Sequence, residues 1–460
     1  MSFIGTKIAK SRSLFHKYKD SQYASGILMA AAQSTLALVF ILLDFFYSKI
    51  LSITELADWK LMFMILQLAT PLLSFGFPEG YKYYIARYDN KPLYFSNFLY
   101  VFLGIALIEF FIIVVLNILH YYGVINLQSF YLISLLFPAV FISYGISQVF
   151  KFTYVNQKKI LQYSTIIIAS MLATVAAILL SVIFKNFSRS HYMFLGVAFQ
   201  VVTFGLPIYW LFKGTDIYVK RSYLDKKSVF NMLGIGFPLY CATFMSIINI
   251  NLNKGIISIL ETKEAFAIFA VGAFEIPIFA MLSAAFSQNI YPTLVKYISE
   301  GRKDEAKDLW LITTRKVSYL TYPLLLLMMI FAKQIIFFIY TPDYKESVIL
   351  FQTFLLVGLL RNNFYGSLIV ASGKTKYITL YTGIGLVTNL VFSLIMYYLA
   401  GLKGMVLGSL IASITIDFLQ LGHEGLIKDY FRKFLLKDKK ILALVIAILA
   451  VYFYNLFVIS

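Results

Sequence analysis

Charged residues are scarce in this chain. Asp, Glu, Lys and Arg make up 13% of its 460 residues, about half the share of an ordinary soluble domain, while 60% are hydrophobic. Cysteine is nearly absent: Cys241 stands alone within an apolar run, which excludes a disulfide framework and a thiolate metal site. The four histidines (His16, His120, His191 and His423) are scattered without zinc-ligand spacing. No Gly-rich loop is followed by Lys-Ser or Lys-Thr, so ATP is not the expected energy source and no cofactor is expected. Long polar connections are missing too. No soluble domain fits on either side to carry an enzyme's catalytic centre, and the chain is read as a non-enzyme.

What the chain does have is apolar length. A membrane-crossing helix needs about 20 apolar residues. Thirteen stretches approach this length: 27–46, 61–81, 93–117, 128–150, 160–184, 191–212, 229–252, 265–290, 317–340, 347–371, 377–400, 404–425 and 441–458. The expected fold is an all-α polytopic membrane protein. The Lys/Arg-rich start (Lys7, Lys10, Arg12, Lys17, Lys19) has no small-residue cleavage site after it and reads as a retained cytoplasmic segment.

The net charge of +18 invites a nucleic-acid reading, but its distribution opposes one. Thirty of the forty Lys and Arg fall in alternate gaps, beginning with the N-terminus, and nine fall in or, for Lys333, near the other gaps. This bias is the positive-inside pattern and places the N-terminus in the cytoplasm. It assigns most of the basic charge to topology and to anionic headgroups. Arg361, near the middle of a span, completes the forty.

The polar break from Lys213 to Lys227 divides the first twelve stretches into six and six, which suggests parallel repeats about an axis along the membrane normal. The expected domains are a cytoplasmic segment (1–26), an N-lobe (27–212), an inter-lobe loop (213–228), a C-lobe (229–425), and a basic segment with a thirteenth span (426–460). A faint echo joins the halves. Lys49, Ser52 and Glu55 follow the first stretch, and Lys254, Ser258 and Glu261 follow the seventh.

Four segments resemble a known family. They are Lys49-Ile-Leu-Ser-Ile-Thr-Glu-Leu-Ala-Asp-Trp59 with Leu73-Ser-Phe-Gly-Phe-Pro-Glu-Gly-Tyr-Lys-Tyr-Tyr-Ile-Ala-Arg87; Gly234-Ile-Gly-Phe-Pro-Leu-Tyr240 running to Asn253-Lys254; and Ile290-Tyr-Pro-Thr-Leu-Val-Lys296. Their order and spacing over roughly 20–425 resemble the polysaccharide flippases of the multidrug/oligosaccharidyl-lipid/polysaccharide exporter superfamily. The resemblance implies two six-helix lobes around a cavity that opens alternately to each side. It implies a substrate, an undecaprenyl-pyrophosphate-linked oligosaccharide, carried across a bacterial cytoplasmic (inner) membrane for surface polysaccharide assembly, with membrane lipids and polysaccharide-assembly proteins as partners. A proton or a sodium gradient is left open as the driving force. Where many relatives carry an acid-base pair at the end of the seventh span, this chain has Asn253-Lys254. Rival readings are a flippase for the peptidoglycan precursor, a cation-coupled multidrug exporter of the same superfamily, and a membrane-embedded enzyme of glycan assembly.

Ionisable groups within spans cost several kcal/mol to insert, roughly 2.5–3.5 on insertion scales, and so mark function or fixed pairing. Arg361 opens Arg361-Asn362-Asn363 and suits a pyrophosphate, or an acid on a neighbouring helix. Lys254 follows Asn249 and Asn253, which share a helix face and would line the cavity; Lys254 would stand at its outer mouth or in the headgroups. Lys82 and Glu79, beside Arg87, read as a cytoplasmic gate or as ordinary anchoring. Glu275, Glu109 and Asp417 are candidates for coupling or gating, or are static buried acids. Gln33 and Gln67 line the cavity or bond across helices, and Asp44 reads as an interfacial acid.

Overall fold

A computed structural model describes residues 39, 41–88, 91–126, 131–157, 159–183, 189–274, 277–361 and 364–459. Everything described is helix, turn or coil, and no strand occurs among these residues. Residues 41–50 are helical and belong to the first expected span, whose start lies outside the described residues. The N-terminal basic segment also lies outside them.

Helix α1 (Ile53–Ser74) begins at a capping box: the Glu55 amide donates to Ser52 Oγ, and the Ser52 amide donates to Glu55 Oε2 at 2.8 Å. It stops where Phe75 and Gly76 take left-handed backbone angles (φ 45° and 78°). Helix α2 (Phe77–Arg87) resumes with Pro78 in its first turn. The remaining N-lobe helices are α3 (Lys91–Tyr121), α4 (Phe137–Asn156), α5 (Ile160–Ile183) and α6 (Arg189–Lys213).

The C-lobe contains α7 (Lys226–Leu260), α8 (Lys263–Gly272), α9 (Pro277–Ser299), α10 (Lys303–Ile330), α11 (Ala332–Ile339), α12 (Ser347–Arg361), α13 (Ser367–Ala371) and α14 (Thr375–His423). Within α14 the backbone leaves helical geometry at Ala400 and Gly401, separating the two arms that the sequence reads as the eleventh and twelfth spans. The arms lie backbone to backbone. A Cβ added at Gly404 would collide with the Met396 carbonyl, and one at Gly408 with the Ser393 backbone. A short helix α15 (Ile427–Asp429) runs into a π-helical segment (Tyr430–Leu436), and α16 (Lys439–Ile459) follows, packing on α10 and α12.

Eight helices among the described residues are long and apolar enough to cross a membrane. The α10–α11 pair, bent by 74°, makes a ninth when counted as one broken span. The last apolar stretch is one of the eight. Several expected spans are interrupted. The second breaks at Phe75–Gly76, the eighth between Gly272 and Pro277, and the tenth between Arg361 and Ser367. Breaks at membrane depth are tolerated where protein, rather than lipid, covers the freed backbone groups. The Leu72 carbonyl shows how: the Tyr240 hydroxyl, from α7, donates to it at 3.1 Å.

The apparent echo between the halves also shifts. Ser52 caps α1, but Ser258 lies inside α7, and the hydroxyl that caps the corresponding helix α8 is Thr262, which accepts from the Ala265 amide. Helices α1 and α8 then pack against each other across the lobe interface, the pairing expected of parallel repeats around a shared axis. The inter-lobe loop is held on α3. Asn97, fully buried, donates to the Tyr223 carbonyl and accepts from the Asp225 amide, both at 2.8 Å. Asp225 in turn caps α7.

Candidate functional site: a cavity between the lobes

A cavity of about 360 Å³ lies where α7 of the C-lobe closes over α1, α4 and α6 of the N-lobe. Its polar lining consists of Gln67 and Thr70 from α1, Tyr144 from α4, Gln200 from α6 and Asn251 from α7. Aromatic and aliphatic side chains, among them Phe63 and Phe204, complete the wall. This lining has no charged side chain. Two of its amides are incompletely satisfied: among the described residues Gln200 Nε2 and Asn251 Oδ1 form no hydrogen bond, although both residues are at least 95% buried. A buried amide atom left unpaired costs about 1–3 kcal/mol. One free donor and one free acceptor at the same cavity therefore fit a ligand with hydroxyl groups.

The lobes touch at both ends of this cavity. At one end α2 lies against α7 with no side chain between the backbones. A Cβ on Gly76 would strike the Gly236 carbonyl, one on Gly236 the Gly76 carbonyl, and one on Gly80 the Met232 carbonyl. At the other end the contacts are polar. Lys263 at the start of α8 pairs with Asp58 of α1 at 2.7 Å. Asp44 pairs with Lys60 at 2.5 Å, and both reach the Tyr340 hydroxyl of the C-lobe at 3.1 Å. Ser48 donates to the Ile339 carbonyl at 2.8 Å, and Lys49 to that of Tyr340. Asp44, read from sequence as an interfacial acid, is thus part of an inter-lobe cluster.

Gln67, for which the sequence leaves open a cavity lining or a bond across helices, is among the lining residues. Asn249 and Asn253 do share a face of α7, but that face meets α14. The Asn389 amide donates to Asn249 Oδ1 at 2.8 Å, while the Asn253 amide donates to Ser409 Oγ at 2.7 Å and to the Met405 carbonyl at 2.9 Å. Asn251, on the opposite side, faces the cavity instead. Lys254, next to Asn253 in sequence, is half-buried.

Glu79 and Lys82 lie together on α2 at 3.8 Å, with Lys82 Nζ 5.1 Å from the centre of the Phe152 ring. Lys151 of α4, one of the thirty cations in the alternate basic gaps, lies close enough to both to interact electrostatically. Glu109 is half-buried in α3, and its Oε2 forms no hydrogen bond among the described residues. Asp417 sits beside Tyr365 and Tyr430, whose hydroxyls are 2.9 Å apart. Glu109 and Asp417 belong to different lobes. Arg361 ends α12, but its side chain lies outside the described residues, as do that of Arg87 and the whole of Glu275, Asn362 and Gln33. No group of three or more His, Cys, Asp or Glu able to hold a metal ion occurs among the described residues.

A family model described as "Polysaccharide biosynthesis protein" matches residues 46–349. A search of curated protein sequences finds no match. Solved structures similar to this one include an inward-facing multidrug resistance MATE family transporter of the MOP superfamily, 15% identical, covering 88% of this chain and 99% of its own with a TM-score of 0.63. A MOP superfamily transporter from Pyrococcus furiosus is 12% identical over 89% of this chain and 98% of its own, with a TM-score of 0.62. The lipid II flippase MurJ, in an inward closed conformation, is 16% identical over 94% of this chain and 98% of its own, also with a TM-score of 0.62. At these identities the structural likeness speaks for the fold, and the family match covers most of the chain. The chain is a multi-pass membrane member of the polysaccharide biosynthesis protein family, built on the two-lobed fold of the MOP superfamily transporters.

Proposed function

We propose that this transporter flips an undecaprenyl-pyrophosphate-linked oligosaccharide across the bacterial cytoplasmic membrane by alternating access. The observation that carries the reading is the uncharged, amide- and hydroxyl-lined cavity between the lobes, with Gln200 Nε2 and Asn251 Oδ1 left open. Amides hydrogen-bond sugar hydroxyls in either direction, whereas an organic cation calls for a carboxylate in the lining. The volume of about 360 Å³ is at the low end for ligand pockets, roughly 300–1,000 Å³, which suits a state in contact at both ends. The Lys/Arg bias puts the Gly76 end on the cytoplasmic side and the Asp44 end outside.

In this reading Lys82, with Lys151, meets the pyrophosphate near the cytoplasmic end while the lipid tail stays in the bilayer. Arg361, Asn362 and Lys254 are further headgroup contacts, and Asn249 and Asn253 support the cavity from behind α7. Glu109, Asp417, Glu275 and Glu79 are candidates for coupling to a proton or sodium gradient, or for gating. The peptidoglycan-precursor flippase is the second reading, because the same cavity would serve its sugar headgroup and the fold matches the lipid II flippase at a TM-score of 0.62.

The test is flipping in proteoliposomes that hold the full-length protein with either a lipid-linked oligosaccharide or lipid II. Translocation of the first and not the second supports the proposal; the reverse selects the second reading. Undiminished flipping by Arg361→Ala at normal expression removes Arg361 from the site.

A further inference from the structure

The added helix α16 creates a second, larger recess on the outside of the C-lobe, apart from the transport cavity. Its volume is about 630 Å³, and it lies between α10 and the segment leading into α16. Five cations line it: Arg315, Lys433, Lys437, Lys439 and Lys440. The two acids in the lining are already engaged. Asp438 pairs with Arg315 at 3.1 Å and accepts from the Tyr319 hydroxyl at 2.6 Å, while Asp308 stands 3.8 Å from Lys433. Lys437, Lys439 and Lys440 are exposed, and none forms an ion pair among the described residues.

Position decides what these three charges meet. Lys439 and Lys440 are the first residues of the apolar span that runs to Phe457, so they stand at the boundary between headgroups and water. Leu311 and Ile312 form the apolar part of the wall, and along α10 both Ile312 and, about two turns further on, Leu320 are half-exposed. A cationic recess above exposed apolar surface at that depth has the two-part chemistry of a phospholipid.

We propose that this recess binds the phosphate headgroup of an anionic membrane lipid, with Lys437, Lys439 and Lys440 as its charge contacts and its acyl chains along α10. The site would give the thirteenth stretch a role: it fixes a lipid between itself and the transporter lobes. A free inorganic phosphate shares the headgroup chemistry but has no use for the apolar wall.

The test uses detergent-purified full-length protein and native mass spectrometry, with phosphatidylglycerol, phosphatidylcholine and inorganic phosphate as probes. Each lysine near an anionic headgroup strengthens binding roughly fivefold. Replacing the three lysines (K437Q/K439Q/K440Q) should therefore lower phosphatidylglycerol retention by at least about tenfold. Phosphatidylcholine retention should be unchanged. The arginine triple (K437R/K439R/K440R) should retain the anionic lipid, which separates loss of charge from misfolding. Equal retention of phosphatidylglycerol by wild type and the glutamine triple overturns the proposal. So does displacement of the lipid by millimolar inorganic phosphate, which would make the recess a soluble-anion site.

Discussion

Lys263 and Asp58 form an ion pair of 2.7 Å between the lobes, on helices that occupy matching places in the two halves. The Asp58 side chain is 9% exposed and that of Lys263 43%, so solvent screens the pair from one side. Its strength is therefore on the order of 1 kcal/mol, near the top of the range for exposed pairs. A transporter that alternates must break this contact in each cycle.

Lys263→Glu should thus shift the population toward the state open at this end by about fivefold or more. The check is alkylation of a single cysteine placed at Thr54, in a background where Cys241 is replaced. The exchanged pair, Asp58→Lys with Lys263→Asp, should restore the original accessibility. Equal alkylation in all three proteins would show that the pair does not hold the lobes.

The opposite end closes by shape rather than charge. Gly236→Leu sets a side chain where the Gly76 carbonyl now lies, and Gly80→Leu does the same toward the Met232 carbonyl. Overpacking of this kind typically costs about 1–3 kcal/mol, and separation of the lobes relieves it. Both variants should express, remain open at the Gly76 end by thiol accessibility, and lose flipping. A variant that flips normally would mean that α2 and α7 need not come this close.

Much of this architecture was legible in the sequence, and the reasons for the rest are specific. Apolar length marked out the helices of an all-α membrane protein, because hydrocarbon excludes charge regardless of packing. The break at Phe75–Gly76 was hidden, since one glycine in a membrane helix is common and only its partner Gly236 gives it meaning. The shared face of Asn249 and Asn253 followed from helical spacing, but spacing does not say whether that face meets a cavity or α14. Gln200 and Asn251 carry no charge to mark them, although a neutral amide at mid-span also costs energy and is a usable signal. Lys151 lies in a basic gap like many other cations, and only packing brings it near Glu79 and Lys82.

Those two amides offer a variant that separates function from stability. Gln200→Leu and Asn251→Leu remove Gln200 Nε2 and Asn251 Oδ1, which have no partner among the described residues. Asn251→Leu also gives up the bond from Asn251 Nδ2 to the Ile247 carbonyl, a smaller loss, so thermal stability should hold or rise, by up to about 1–3 kcal/mol. Flipping of the sugar-bearing lipid should fall at least tenfold, since roughly one hydrogen bond in a dry site is lost per substitution. A loss of stability together with full flipping would show that the amides serve packing and not substrate.

Glu109 allows a similar separation for coupling. Its Oε2 lacks a hydrogen-bond partner among the described residues, so Glu109→Gln should leave expression and folding intact. If this carboxyl carries the coupling proton, the variant should flip at a rate independent of an imposed pH gradient while the wild type responds to it. A gradient response equal to wild type would assign Glu109 a static role.

The anchoring of α16 is tested at Asp438. Burial opposes its ionisation, but the Tyr319 hydroxyl, the Ile441 amide and the Arg315 charge outweigh burial and hold the carboxyl below the usual carboxylate range. A depressed folded-state value contributes stability above the unfolded-state pKa, and that contribution is lost as pH falls through the folded-state pKa. Asp438→Asn should remove the charge term and weaken the docking of α16 by about 1 kcal/mol after screening, since Arg315 is one-third exposed. Tyr319→Phe should cost a similar amount, about 1 kcal/mol for one hydrogen bond. Proteolysis at Lys437 reports the docking, because cleavage there requires the segment before α16 to lift from α10. Both variants should be cut faster than wild type at neutral pH, and the difference between wild type and Asp438→Asn should vanish in acid. A difference that persists below the folded-state pKa would mean that the carboxylate's charge is not what holds the helix.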